Sequence, residues 1–450
     1  MTKPAKPSRS RDGVYRDLHV EERPIGSLKP AGRNARTHSK KQIHQIAASI
    51  REFGFTNPIL VDENGEILAG HGRLAGAKEL GLAVVPTIRL DHLSAEQKRA
   101  YILADNKLAL NAGWDPEILE IEFAELSAVD LAFELEITGF STAEIDGYAE
   151  GAKNAPAADD DIVPEVQSSA VSRPGDLWLL GSHKLLCGDS RDPASFATVM
   201  GSDRAQLVFS DAPYNVKIDG HVGGAGAVKH REFAMASGEM TRAEFIAFLQ
   251  VVFRNLAAVS VDGSLHFQCM DWRHSWEMLA AGEAVYSELK NICVWVKDNG
   301  GMGSLYRSQH EMVFVWKVGD GAHVNTIELG KHGRYRTNVW EYAGVNTLKR
   351  DRMTELAMHP TVKPCALVQD AIKDASKKGD IVLDPFSGSG TTLIAAEKTR
   401  RKGRAIEFDP IYVDVAVRRW QGLTGKKAVL LSSGTTFEEI EDERINGWDT

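Results

Sequence analysis

DIVLDPFSGSGTTLIAAEKTRRKGRAIEFDP, residues 380–410, combines a short apolar run, a glycine-rich turn, a helical run and a second apolar run. Ile381 to Leu383 read as a buried strand, Asp384 to Gly390 as a turn of little side-chain bulk, and Thr391 onward as a helix. A ligand can therefore approach the backbone where the helix begins. The second run, Ala405 to Phe408, carries Glu407, 23 residues beyond Asp384. An acid about 20 residues past such a loop, at the tip of the neighbouring strand, suits the two hydroxyls of a ribose. The expectation is a nucleoside ligand; a glycine-rich turn holding nothing is the alternative.

The loop's missing residues narrow the choice. Gly390 is followed by Thr391 and Thr392 with no lysine, so a triphosphate-binding loop does not fit. Leu393 stands where a dinucleotide fold prefers a third glycine. Asp384 at the strand end would oppose a pyrophosphate but suits an ammonium-bearing ligand, as S-adenosylmethionine is.

QLVFSDAPYN, residues 206–215, is an apolar strand that stops at Asp211-Ala212-Pro213-Tyr214. Alone it reads as an ordinary turn. Beside a methyl donor its chemistry becomes specific, because the lone pair of a base's exocyclic amine is delocalised into the ring. The Asp211 carboxylate and the Ala212 carbonyl can accept the amine hydrogens and stabilise charge developing on nitrogen. Pro213 fixes the turn, and the Tyr214 ring offers a stacking face to a base swung out of the duplex.

At 450 residues, 43% hydrophobic and 26% charged, the chain is expected to be soluble and globular with more than one domain. No run of 18 apolar residues exists, the opening MTKPAKPSRSRDG is basic, and Cys187, Cys269, Cys293 and Cys365 lie far apart. These features predict a cytoplasmic protein without membrane span, signal peptide or metal site. The net charge of -9 hides basic stretches, in the first fifty residues and in 331–352, that suit a phosphate backbone. The expected division is a flexible basic arm over 1–17, an N-terminal domain with a helical extension over 18–150, and a linker over 151–172. A catalytic α/β domain over 173–435 and an acidic tail over 436–450 complete it. In the N-terminal part, Ile43, Ile46, Ile50 and Phe53 fit one helix face ended by Gly54, and Asn64-Gly65 is expected to supply the positive φ angles of a tight hairpin.

Residues 173 to about 432 resemble the amino-group DNA methyltransferases in which the catalytic tetrapeptide precedes the cofactor loop. The resemblance implies a Rossmann-like sheet, S-adenosylmethionine as cofactor, and double-stranded DNA as substrate. It places Asp384, Pro385, Phe386, Gly388, Ser389, Gly390, Thr391, Thr392 and Glu407 at the cofactor. His359, Thr361 and Lys363, from HPTVKP, are implied at its methionine end and Asp189, from LCGD, at its adenine end. The family usually has proline where Ala212 stands. Activity is still expected, with slower placement of the amine. The leading Asp211 favours adenine; cytosine is the alternative, as is a DNA- or nucleotide-binding adaptor with a degenerate methyltransferase half.

Lys229, Arg231, Arg307, Arg334 and Arg336 are the expected DNA contacts, with Tyr306 beside them. Of Tyr335, Trp340 and Tyr342, at least two are expected in the core. A homodimer and a cognate restriction nuclease are left open as partners. Residues 18 to about 113 resemble the smaller α+β N-terminal domain of ParB partition proteins, shared with sulfiredoxin. The family's Glu-Arg-Arg is here His71-Gly72-Arg73, which argues against nucleotide hydrolysis or nuclease action and for an accessory DNA-binding or assembly role.

Overall fold

The computed structural model describes residues 18–32, 34–129, 131–150, 160–164, 166–216, 238–298, 300, 305–327, 336–344 and 362–447. The expected arm, Lys229, Arg231, Arg334, His359 and Thr361 lie outside them. The chain forms two compact units, Met1–Gly151 and Ala152–Thr450.

The first unit runs β1 (Val20–Pro24), α1 (Lys40–Phe53), β2 (Ile59–Val61), β3 (Ile67–Ala69), α2 (His71–Glu79), β4 (Val84–Arg89), α3 (Ala95–Asn111), α4 (Pro116–Ala128) and α5 (Thr142–Glu150). Its sheet has the order β1-β4-β2-β3. Gly54 ends α1 with φ +78°, as its position predicts. The β2–β3 turn differs from expectation. Gly65 has positive φ but Asn64 does not, and the Asp62 carboxylate instead accepts the N–H groups of Asn64 and Glu66, both at 2.8 Å. Gly72 and Gly76 let α2 press onto α1: a Cβ at 72 would stand 2.9 Å from Ile46 Cδ1, and one at 76 would stand 3.2 Å from the Ala47 nitrogen. The departure from Glu-Arg-Arg at position 72 thus has a packing role.

The second unit opens with β5 (Leu177–Leu180), β6 (His183–Cys187), α6 (Pro193–Met200), β7 (Ala205–Ser210), α7 (Arg242–Ala258), β8 (Ser260–Met270) and α8 (Ser275–Glu283). It continues with β9 (Glu288–Val296), β10 (His310–Lys317), β11 (Val339–Glu341), α9 (Cys365–Ala375), β12 (Ile381–Asp384), α10 (Thr391–Thr399), β13 (Lys402–Glu407), α11 (Pro410–Thr424), β14 (Val429–Leu430) and α12 (Phe437–Glu441). One sheet holds all ten strands in the order β11-β9-β10-β8-β7-β12-β13-β6-β5-β14, and β6, β13, β12, β7 and β8 run parallel.

Both faces of this parallel block are buried, which is why its strands read as continuous apolar runs rather than alternating ones. Leu185, Leu207, Phe209, Val382 and Ala405 join one core cluster with Leu367, Ile394 and Val413. Their chain neighbours Leu186, Val208, Leu383 and Ile406 join the other with Phe196, Phe245 and Met278. From neighbouring β7 and β12 the chain departs in opposite directions, to β8 and to β13. The crevice beyond their carboxyl ends is therefore a topological switch point, where open α/β sheets take ligands.

The described residues of the stretches expected as linker and acidic tail pack into this unit. Within 151–172, Asp161 accepts the N–H of Cys365 at 2.8 Å, and Val171 and Ser172 donate to Asp414 at 2.6 and 2.9 Å. Within 436–450, Phe437 is fully buried and its ring meets Trp178 at 5.1 Å. A few apolar residues and N–H partners tie both stretches to the unit. Gly390 caps α10 with φ +82°, and a Cβ there would stand 2.8 Å from Ala416 Cβ. Gly390→Ala should cost about 3 kcal/mol from the left-handed backbone and the contact together, read as a melting temperature lowered by several degrees.

Candidate active site

The side expected to take the cofactor is assembled by backbone and by one buried arginine. Glu407, at the end of β13, accepts the N–H of Gly388 at 2.7 Å and that of Asp409 at 2.8 Å, tying loop to strand. Arg419, reaching up from α11, donates to the Ser389 carbonyl and hydroxyl at 3.2 Å each and to the Thr391 hydroxyl at 3.0 Å. Arg419 escaped the sequence reading because it lies on a helix after the motif, with no local signature. Asp384 is 4% exposed and accepts the N–H of Phe386 at 3.0 Å. Burial pushes its carboxyl up to about 7 against the Thr392 and Phe386 hydrogen bonds. Burial likewise pushes Glu407 up to about 7 against the N–H groups of Asp409 and Gly388.

These residues fit S-adenosylmethionine. The Ser387 hydroxyl is buried in the loop without a hydrogen-bond partner, and two carboxyls poised near neutrality would ionise beside a cationic ligand. Asp189, expected at the adenine end, is gripped by Arg191, whose Nε lies 3.0 Å and Nη2 2.6 Å from it.

At the end of β7 the tetrapeptide enters a compact ionic network. The Tyr214 hydroxyl donates to Asp211 Oδ1 at 2.7 Å. Lys363 Nζ lies 2.6 Å from Asp211 Oδ2, 3.1 Å from the Tyr214 hydroxyl and 3.0 Å from Glu311 Oε2, and its side chain is 5% exposed. Lys297 pairs with the other oxygen of Glu311. Burial disfavours the Lys363 ammonium, but Asp211 and Glu311 outweigh it and raise its pKa. Burial opposes the charged form of Glu311 too, and Lys363 and Lys297 reverse that and lower its pKa. Lys363, which the resemblance implied at the methionine end of the cofactor, thus reaches the Asp211–Tyr214 tetrapeptide. Glu311 and Lys297 were missed, since single charges on strands β9 and β10 and the turn between them carry no spacing signal.

Asn215 adopts φ +54° and clamps the returning chain: its side chain accepts from Gly238 N at 3.1 Å and Met240 N at 3.2 Å and donates to the Met240 carbonyl at 2.9 Å. Ala212 is 2% exposed, so its small side chain packs into the core cluster that also holds Phe245 and Phe248. Among the expected DNA contacts, Arg307 lies by the 84% exposed Tyr306. Arg336 is a correction: it donates to Asp374 at 3.0 Å and to the Tyr342 hydroxyl at 2.8 Å, and so is engaged within the fold. Trp340 is buried and Tyr342 is half-buried against the same core; Tyr335 lies outside the described residues.

Three family models match: a DNA methylase model over residues 205–418, a ParB N-terminal domain model over 12–107, and a ParB-methyltransferase helix-turn-helix model over 117–174. This chain is a DNA methylase joined to a ParB-like N-terminal unit. As a member of that family it is a DNA methyltransferase that uses S-adenosylmethionine. The ParB-like part is 50% identical over 82 residues to the ParB-like nuclease domain-containing protein YnaK of Escherichia coli, covering 18% of this chain and 94% of that one. The methylase part is 26% identical over 246 residues to the type II methyltransferase M2.DpnII of Streptococcus pneumoniae, covering 51% of this chain and 87% of the relative. A third relative, the DNA adenine methyltransferase YhdJ of Escherichia coli, is 42% identical over 88 residues, 20% of this chain and 29% of its own. The helix-turn-helix match was not foreseen. It covers α4 and α5, whose Leu119, Phe123 and Ile145 share a small core, in residues read from sequence as helical extension and linker.

Lys363→Met in this methylase leaves Asp211 and Glu311 facing each other without their shared cation. It should lower stability by about 3–5 kcal/mol and abolish methyl transfer, measured by thermal melting and by transfer of labelled methyl. Because the Asp384 carboxyl titrates near 7 rather than 3.8, the ligand-free fold favours its protonated form, and stability falls as pH rises from about 4 to about 7. Asp384→Asn should therefore raise the stability at pH 8 by about 4 kcal/mol at most, seen as a higher melting temperature, with the gain shrinking towards pH 4.

Proposed function

We propose that this methylase modifies the exocyclic amino group of adenine in duplex DNA at specific sites, working in the cytoplasm. The observation that supports the reading is the Asp211 carboxylate, held by Tyr214 and Lys363 one strand away from the glycine loop. S-adenosylmethionine supplies an electrophilic methyl group on a sulfonium. Asp384, Glu407 and the 386–392 loop hold it. Two donors on Asp211 leave lone-pair sites for an amine N–H, and the Ala212 carbonyl accepts the other hydrogen. Lys363 and Tyr214 fix the Asp211 carboxyl in orientation, so the acceptor is in place before the base arrives. The Tyr214 ring, pinned through its hydroxyl, gives the extruded base a surface to stack on. Holding the two reactants near contact distance supplies much of the acceleration.

Adenine is favoured by an Asp at the head of the tetrapeptide and by the similarity to an adenine methyltransferase. Lys229, Arg231, Arg307 and Arg334 serve as phosphate contacts, and the ParB-like unit as an accessory DNA-binding or assembly module.

Mass spectrometry of nucleosides from plasmid DNA of expressing cells should show N6-methyladenine. N4-methylcytosine in its place would overturn the base assignment, and neither product would overturn the reading. Asp211→Ala should abolish the product with cofactor affinity unchanged within about twofold, whereas Glu407→Ala should weaken the cofactor about tenfold or more, by calorimetry. Replacing Lys229 and Arg231 by alanine should reduce the slope of log affinity against log salt by about 2.

A further inference from the structure

Exposed aromatic rings of the second unit gather beside the catalytic edge. Trp272, Arg273, Leu305, Tyr306, Arg307 and His310 line a cleft of about 290 Å³. Trp272 is 50% exposed, Leu305 83% and Tyr306 84%. Arg273 is held at 3.0 Å by Asp271, with its guanidinium 5.2 Å from the centre of the Trp272 ring. Scattered apolar side chains at a surface need no explanation, but two aromatic rings and two arginines around one cleft do.

The cleft's place in the sheet says what it meets. β8 runs parallel to β7, so Trp272, two residues past the end of β8, emerges at the edge that carries Asp211. β10 pairs antiparallel to β8 with Met312 opposite Met270, which puts His310 at that same edge. The residue after His310 is Glu311, a member of the Asp211 network. Two strand spacings separate β10 from β7, roughly 10 Å, a distance that a one- or two-nucleotide step along a strand can span.

We propose that this cleft takes a second unstacked nucleobase of the DNA, beside the extruded target. The proposal rests on the DNA methyltransferase reading and deepens it. Flat rings with an arginine stacked on one of them are sequence-tolerant platforms for a base, and the guanidinium groups of Arg273 and Arg307 suit the attached phosphates. Holding a neighbouring base out of the stack would keep the duplex open while the target sits at Tyr214.

The test compares a 12-nucleotide single strand of mixed sequence with the same backbone made abasic, binding the full-length protein, followed by fluorescence anisotropy. Wild type should prefer the base-bearing strand about tenfold or more, and Trp272→Ala/Tyr306→Ala should lose most of that preference while keeping its S-adenosylmethionine affinity. Trp272→Phe/Tyr306→Phe, which keeps both stacking faces, should retain the preference even where the alanine variant folds poorly. Equal binding of the two strands by wild type, or an undiminished preference in the alanine variant, would overturn the proposal. Loss of preference in the phenylalanine variant as well would also overturn it. Asp211→Ala should keep the preference and lose the methylated product, so a failure of base stacking and a failure of the methylation reading give different results.

Discussion

A single buried ammonium, that of Lys363, lies between the carboxylates of Asp211 and Glu311 and within reach of the Tyr214 hydroxyl. Three chain segments that are remote in sequence meet there: the end of β7, the start of β10, and the approach to α9. Any one of these charges buried alone would be costly; together, with Lys297 on the outer side of Glu311, they compensate one another. The tetrapeptide is consequently held by its environment rather than by the double proline usual in the family, and Ala212 can stand where a ring would otherwise stiffen the turn.

The two halves of the active edge are electrostatically unlike. On the catalytic side the carboxylates are already matched by lysines. On the glycine-loop side Asp384 is buried and Glu407 half-buried, with backbone N–H groups as the partners of Glu407, and burial pushes both carboxyls up to about 7. A carboxyl kept near its titration point is a site that a cation completes. The sheet makes this separation possible, because neighbouring β7 and β12 feed loops that turn apart above their carboxyl ends.

Several local features were legible because short-range physics decides them. The glycine at the end of α1 and the apolar runs of β7, β12 and β13 appear where the sequence places them. The hairpin at Asp62–Gly65 was legible in place but not in geometry, since the Asp62 side chain organises the turn through hydrogen bonds that residue preferences do not specify. The stretch read as a linker shows the same limit. Its Asp160 and Asp161 side chains are taken up by Lys398 and by the N–H of Cys365, partners more than 200 residues away. Arg336 looked like a phosphate ligand because it sits in a basic run, and Asp370 and Asp374 from α9 claim it.

The glycine loop, the strand-ending tetrapeptide and the acid after the loop were determined by sequence alone, since each is a contiguous run whose backbone needs and side-chain chemistry are local. Only the tertiary structure decided which charge neutralises Asp211, that Arg419 braces the loop, and that Trp272 and Tyr306 share a cleft. Those outcomes depend on long-range burial, where the energy of a charge or a ring is set by groups dozens to hundreds of residues away and no spacing along the chain records the meeting.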